Sequence, residues 1–246
     1  QHVGTAHGRA WAESARRLIE RESAARMRGA LERADALLQT LQATQFAHLS
    51  DMLPRGLDDR LGHFADTLHA QVEEPGAVAM QQVEQAAASV QRHLLARDQH
   101  VRMERVQMAR RLSRWLLRPI PTTAGMDELL AWHTDEGAYV DWARFRLLGG
   151  DEVPDLSRAY GALRACVAAR LESVGHRFAA SMKDRVRQGD MSSARAIPVE
   201  NILDKVVAPL AEQNPVLLLV IDGLSVAVFR ELFERMERHG WGEIVA

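Results

Sequence analysis

Cysteine is almost absent from this chain of 246 residues, in which Cys166 is the only one. A single thiol excludes both a disulfide framework and a zinc centre built on several cysteines. The simplest expectation is a reducing compartment, the cytoplasm. No signal-peptide pattern opens the given sequence, which begins with Gln1 rather than Met, so we do not take Gln1 as the true N-terminus. No apolar run approaches the roughly 18 residues that a membrane-spanning helix needs. We therefore expect a cytoplasmic protein without a membrane partner.

Lysine is nearly as scarce, since Lys183 and Lys205 are the only two among the 31 basic residues. These face 33 acidic residues, which leaves a formal net charge of −2. That balance excludes a protein that binds nucleic acid through bulk charge alone.

Arginine is concentrated in one stretch. Between Arg92 and Arg118 there are eight arginines against two acidic residues. A helix this basic could follow the backbone of DNA or RNA, whereas a solvated face is the alternative that we favour. The candidate nucleic-acid contacts are Arg105, Arg110, Arg111, Arg114 and Arg118.

Most of the chain has the pattern of long amphipathic helices, with apolar residues recurring at spacings of three and four. The predicted helices cover residues 9–49, 58–72, 78–117, 156–187 and 199–213, with one or two short ones between 126 and 148. The stretch 78–117 would be one rod of roughly 60 Å at 1.5 Å per residue. We expect a helical region over 1–188, and a linker with a connecting helix over 189–213.

The pattern changes after Asn214-Pro215. Residues 216–221 form an apolar run that is too short for a typical helix and rich in β-branched side chains, which predicts a buried strand. A helix over 226–238 and a second strand from 243 would follow, so that 214–246 opens an α/β domain. Two strands cannot cover each other, and we therefore expect the protein to continue well past Ala246. The predicted fold class is mainly α, a long-helix bundle followed by a first β-α(-β) unit.

Asp222 is the candidate site residue because it directly follows the predicted strand. Ligands of open α/β sheets bind beyond the carboxyl ends of the strands, where a carboxylate suits a divalent cation and a helix N-terminus suits a phosphate oxygen. Gly223 would allow a tight turn there. Ser225 is either the N-cap of the next helix, which we favour, or a nucleophile.

Several other interpretations of this strand end are open to comparison. A Walker B strand also ends in Asp, but the chain has no G-x-x-x-x-G-K-[ST] loop. Haloacid dehalogenase phosphatases carry an earlier Asp where this chain has Val220, and a Rossmann fingerprint needs three spaced glycines. A turn without any chemistry stays an even alternative on these residues alone.

Residues 215–246 resemble the opening of the PglZ domain of the alkaline phosphatase superfamily. The resemblance lies in the strand and turn LLLVIDGLS, the helix VAVFRELFERMERHGW and the glycine-tryptophan turn. It is closest to PglZ proteins of type 2 BREX or phage growth limitation systems, which defend bacteria against phage. Those proteins also place a long, Arg-rich helical region before the phosphatase-like domain.

The resemblance implies a metal-dependent phosphatase or phosphodiesterase with other phage-defence proteins as partners. Asp222 would be its first metal ligand, with zinc, manganese or magnesium as the metal. The Ser or Thr nucleophile and the other Asp and His ligands would lie on later segments, so that residues 1–246 alone would be inactive. The helical part would dock partner proteins or DNA. The alternative is a non-catalytic helical scaffold with a silent α/β domain.

Overall fold

The computed structural model describes residues 5–22, 24–120, 125–189, 193 and 196–242. The structure is 79% helix, which confirms the mainly α class. The α-helices, in chain order, are α1 (Thr5–Arg21), α2 (Ala24–Thr40), α3 (Pro54–Glu73), α4 (Ala77–Arg92), α5 (His100–Leu116), α6 (Met126–Trp132), α7 (Ala138–Arg146), α8 (Pro154–Gln188), α9 (Ala208–Ala211) and α10 (Val226–Glu237). None of the described helices is both long and apolar enough to cross a membrane.

Short 3₁₀ and π turns join several of these helices. The 3₁₀ turns cover Thr44–Leu49, Leu94–Asp98, Leu147–Gly149 and Val199–Asn201, and the π turns cover His133–Gly137 and Leu203–Val207. The predicted connecting helix over 199–213 is therefore helical over most of its length but made of three short pieces. Most of the predicted linker, at residues 190–192 and 194–195, lies outside the described residues.

The chain forms two compact units. The first comprises Gln1–Leu117 with Arg146–Cys166, and the second comprises Arg118–Phe145 with Val167–Ala246. Helix α8 is divided between the units, with residues 154–166 in the first and residues 167–188 in the second. The predicted boundaries at 188 and 213 differ from this grouping, and they stay a prediction about domains of the whole protein.

The first unit has a well-packed core between α3, α4, α5 and the first half of α8. Side chains at spacings of three and four on α3 are fully buried, as the amphipathic pattern requires. The largest core residues of this unit are Leu57, Leu61, Phe64, Leu68, Val83, Val90, Leu112, Leu156, Tyr160 and Leu163.

Two predicted long helices are wrong because each is divided. The helix expected over 9–49 is two helices and a 3₁₀ turn, and Gln42 has a left-handed φ of 54° after the end of α2. The rod expected over 78–117 folds back on itself, because His93 is extended (ψ 136°) and α4 packs against α5. In contrast, α8 and α10 lie within two residues of their predicted bounds.

The predicted strand over 216–221 is not seen. No β-strand occurs among the described residues, and this segment has no regular secondary structure. The expected second strand at 243–246 lies outside the described residues. A strand forms only where another strand satisfies its backbone amides and carbonyls, and the described residues provide no such partner for this apolar run.

Candidate functional site

The Asp222 turn has the local geometry that the sequence predicts. Asp222 and Gly223 form a turn, and Gly223 takes a left-handed φ of 71°, a conformation that favours glycine. Ser225 follows as the N-cap of α10, and its Oγ accepts a hydrogen bond from the Val228 amide at 3.3 Å. The favoured role of Ser225 as a helix cap is therefore the one that the structure has.

The segment that leads to this turn is exposed on both faces. All six side chains from Val216 to Ile221 are solvent exposed, with Leu217 at 90% and Val220 at 79% of the maximum. On α10, Val228 and Phe229 are also about half exposed. Exposed apolar stretches of this kind are typical of surfaces that another part of a protein covers.

Asp222 belongs to no group of three metal-ligating side chains among the described residues. Its side chain is exposed, and no three His, Cys, Asp or Glu side chains among the described residues come together as a metal site. A catalytic zinc site takes three protein ligands. The described residues therefore do not by themselves fit the metal centre that the resemblance implies, and Asp222 could supply only one of its ligands.

The five candidate arginines are not equivalent. Arg105 is half-buried and donates to the Gly150 carbonyl at 2.9 Å. Arg110 lies 3.4 Å from Glu84 of α4, and Arg114 pairs with the same carboxylate. Helix α5 therefore uses these guanidinium groups to attach itself to α4 and to the loop before α8, both within the first unit.

The two remaining candidates are exposed. Arg118 donates to Glu136 at 2.8 Å, an ion pair within the second unit. Arg111 is exposed on α5. Since at least four of the five guanidinium groups are engaged inside the protein, a nucleic acid would have to compete with these contacts, and its binding stays a prediction.

A buried ion pair near α5 was not anticipated from the sequence. The guanidinium of Arg102 binds Asp151 through two hydrogen bonds, from Nε at 2.7 Å and from Nη2 at 2.5 Å. The Asp151 side chain is only 1% exposed and also accepts from the Val153 amide at 2.9 Å. Ser157 Oγ bonds the backbone of Asp151 at 2.7 Å on both its amide and its carbonyl.

This cluster is a structural clamp rather than a reaction centre. The Asp151 carboxylate is held by Arg102 and by the Val153 amide, and Ser157 is engaged with backbone groups, so neither side chain is available as a base or a nucleophile. The only local sequence signal for this cluster is an acidic residue and a serine near the start of a helix, a pattern that resembles N-terminal capping. The partner lies 49 residues away along the chain, beyond the reach of local patterns.

Comparison with known proteins leaves the family open. No family model matches this chain, and no curated protein or solved structure matches it either. The resemblance to the PglZ domain therefore stays a prediction that rests on residues 215–246.

Proposed function

We propose that residues 214–242 are the first β-α unit of an alkaline-phosphatase-like domain of the PglZ type. In this proposal Val216–Ile221 becomes an inner strand of a parallel sheet whose other strands come from outside the described residues. Asp222 then lies at the carboxyl edge of that sheet, beside the N-terminus of α10. The observation that carries the proposal is the exposed apolar run that ends in an Asp-Gly turn and a capped helix.

Energetics favour a strand over a solvated connection. Burying a Val, Leu or Ile side chain contributes about 1.5–3 kcal/mol, so six such exposed residues forgo on the order of 10 kcal/mol. A solvated linker would not require apolar side chains at these positions. Because apolar residues occupy both alternating faces of the segment, the part of the protein that covers it must cover both faces, as helices do in parallel sheets.

The function that follows is that of a metal-dependent phosphatase or phosphodiesterase within a phage-defence system. Asp222 would bind one divalent ion, zinc or otherwise manganese or magnesium, together with Asp and His ligands from later in the domain. Two such ions polarise a phosphate ester and activate the nucleophile in enzymes of this kind. The helical region would dock other defence proteins, and its arginine content supports DNA as a second candidate partner.

The first test is hydrolysis of a chromogenic phosphodiester by the full-length protein with zinc or manganese. Substitutions of even outer-shell partners of a metal ligand cost about 10- to 100-fold, so we expect Asp222→Asn to lower the rate by about 100-fold or more. Bound metal, measured by mass spectrometry, should fall in the same variant. Asp204→Asn, another exposed carboxylate of the second unit, is the matched control and should retain wild-type activity and metal.

Two outcomes would contradict the proposal. Equal turnover in wild type and Asp222→Asn would remove Asp222 from the metal site. Absence of both turnover and bound metal in the wild type would leave a helical scaffold with a silent α/β domain.

A further inference from the structure

The second unit contains an apolar cavity that is separate from the Asp222 turn. Its volume is about 550 Å³, and it lies between α6, the following π turn and α7 on one side and the second half of α8 on the other. Leu129, Trp132, Leu171 and Phe178 form its main walls. A cavity of about 300–1,000 Å³ with mostly apolar walls and a few polar groups is typical of small-molecule sites.

Two glycines line this cavity, one on each side. Gly175 lies inside α8, where a Cβ would meet no atom within 4 Å, so the space beside it is empty. Glycine lowers helix propensity at such a position, and packing within the described residues does not require it there. On the opposite wall, a Cβ at Gly137 would lie 2.8 Å from His133 Nδ1. Gly137 ends the π turn His133–Gly137, and π turns often occur at functional sites.

The charged groups around the cavity favour a cation. Asp141 and Glu172 contribute two carboxylates, against the single guanidinium of Arg144. Arg144 Nη2 lies 2.5 Å from Asp141 Oδ1 and neutralises that carboxylate. Glu172 is exposed and lies 3.8 Å from His176. With neutral histidines, the formal charge around the cavity is −1.

The aromatic walls add to the same preference. Trp132 and Phe178 line the cavity, and the faces of aromatic rings attract ammonium groups, most strongly when water is excluded. We propose that this cavity binds a small amphiphilic organic cation, with an apolar body among Leu129, Leu171 and Phe178 and an ammonium group near Glu172. The site is independent of Asp222 and of the proposed phosphatase activity.

The test compares three probes that share one apolar body: 4-phenylbutylamine, 4-phenylbutan-1-ol and 4-phenylbutyrate. Isothermal titration of the full-length protein should give a Kd of about 0.1–1 mM for the amine, as expected for a ligand of this size. The alcohol should bind more weakly and the carboxylate most weakly. No binding of the amine, or equal binding of amine and carboxylate, would overturn the proposal.

Variants locate the binding within the molecule. Gly175→Leu should abolish binding of the amine because the new side chain fills the cavity. Gly161→Leu is the matched control, since Gly161 is also inside α8 with no atom within 4 Å of its Cβ position but does not line the cavity. This control should bind as the wild type does, and circular dichroism checks that both variants fold.

A third variant tests the charge without altering the cavity volume. Glu172→Gln should weaken binding of the amine by about 2- to 5-fold, as expected for an exposed ion pair, and should leave the alcohol unchanged. Glu172 is exposed, so this substitution carries little risk to folding. Retained amine binding in Gly175→Leu, or the same affinity for the amine in Glu172→Gln, would place the ligand elsewhere and contradict the proposal.

Discussion

Among single residues, His93 has the most unusual environment. It is fully buried, and its Nδ1 accepts a hydrogen bond from the Leu95 amide at 3.3 Å. Its Nε2 has no hydrogen-bond partner in the described part of the chain. Burial, and then the positive charge of Arg60, lower the pKa of His93 to about 4, although the carboxylate of Asp51 acts in the opposite direction. The folded protein therefore holds this imidazole neutral.

This pKa predicts a loss of stability in weak acid. Between pH 6.5 and 4 the unfolded chain binds a proton on His93 and the folded chain does not. The protein therefore has its full stability with respect to His93 above pH 6.5, and its free energy of unfolding falls as the pH is lowered towards 4. The loss in the free energy of unfolding is on the order of 3 kcal/mol. We expect His93→Gln to lack this part of the decline in urea titrations at pH 7 and pH 4.5.

The control for this prediction is His63→Gln, on the exposed side of α3. It should follow the wild-type pH dependence. If His93→Gln loses as much stability as the wild type between the two pH values, another group is responsible for the acid sensitivity.

At the scale of elements, α3 shows how tertiary contact constrains a helix. Gly56 lies in its first turn, where a Cβ would be 2.7 Å from the carbonyl oxygens of both Ala47 and Ser50. These are backbone atoms, which cannot move aside cheaply. Only glycine therefore allows the preceding 3₁₀ turn to pack this closely against α3.

Two alanine substitutions in the same helix should have opposite effects. Gly56→Ala should destabilise the protein by about 1–3 kcal/mol, because the methyl group overpacks the contact. Gly62→Ala, where a Cβ meets no atom within 4 Å, should stabilise it by about 0.5–1 kcal/mol through helix propensity. Urea unfolding of both variants at pH 7 measures the two changes, and equal signs would contradict the close approach at Gly56.

The break between α4 and α5 shows where a local pattern is not enough. Apolar residues continue at helical spacing from Val78 to Leu117, and nothing in that spacing marks residue 93 as an end. In the structure, the Leu94 amide donates to the Asp51 carbonyl at 2.8 Å instead of to its own helix. Folding back also buries α4 against α5, a gain that a straight rod would forgo.

At the scale of the whole molecule, the main feature is the contrast between the first unit and the segment 216–221. The first unit has a buried core of large side chains, whereas this segment has six exposed apolar residues. The helical region therefore has a hydrophobic core of its own, but the segment does not. The proposed α/β domain therefore requires neighbouring strands and helices that cover this segment.

Amide hydrogen exchange of the full-length protein tests whether this segment is covered by neighbouring elements, without any assay of activity. If 216–221 is an inner strand, its amides should exchange at least about 1,000-fold more slowly than unprotected ones, as core strands do. Amides inside α3 provide the protected reference, and an unstructured peptide with the sequence of residues 216–221 provides the unprotected one. Exchange of 216–221 at the rate of that peptide would argue against a sheet, whatever the activity of Asp222.

Local sequence patterns determined those features of this protein that depend on neighbours along the chain. The bounds of α8 and α10, the cap at Ser225 and the left-handed glycine at 223 all follow from contacts within a few residues. Such contacts form in the same way wherever the segment lies, so the sequence alone was sufficient to predict them.

Only the tertiary structure decided the features that join distant parts of the chain. The turn at His93, the pairing of Arg102 with Asp151 and the cavity beside Gly175 each depend on segments about 30 to 50 residues apart coming together. The predicted strand at 216–221 also depends on distant segments. Its pattern is present in the sequence, but the hydrogen bonds and apolar contacts that make it a strand have to come from neighbours that local sequence does not specify.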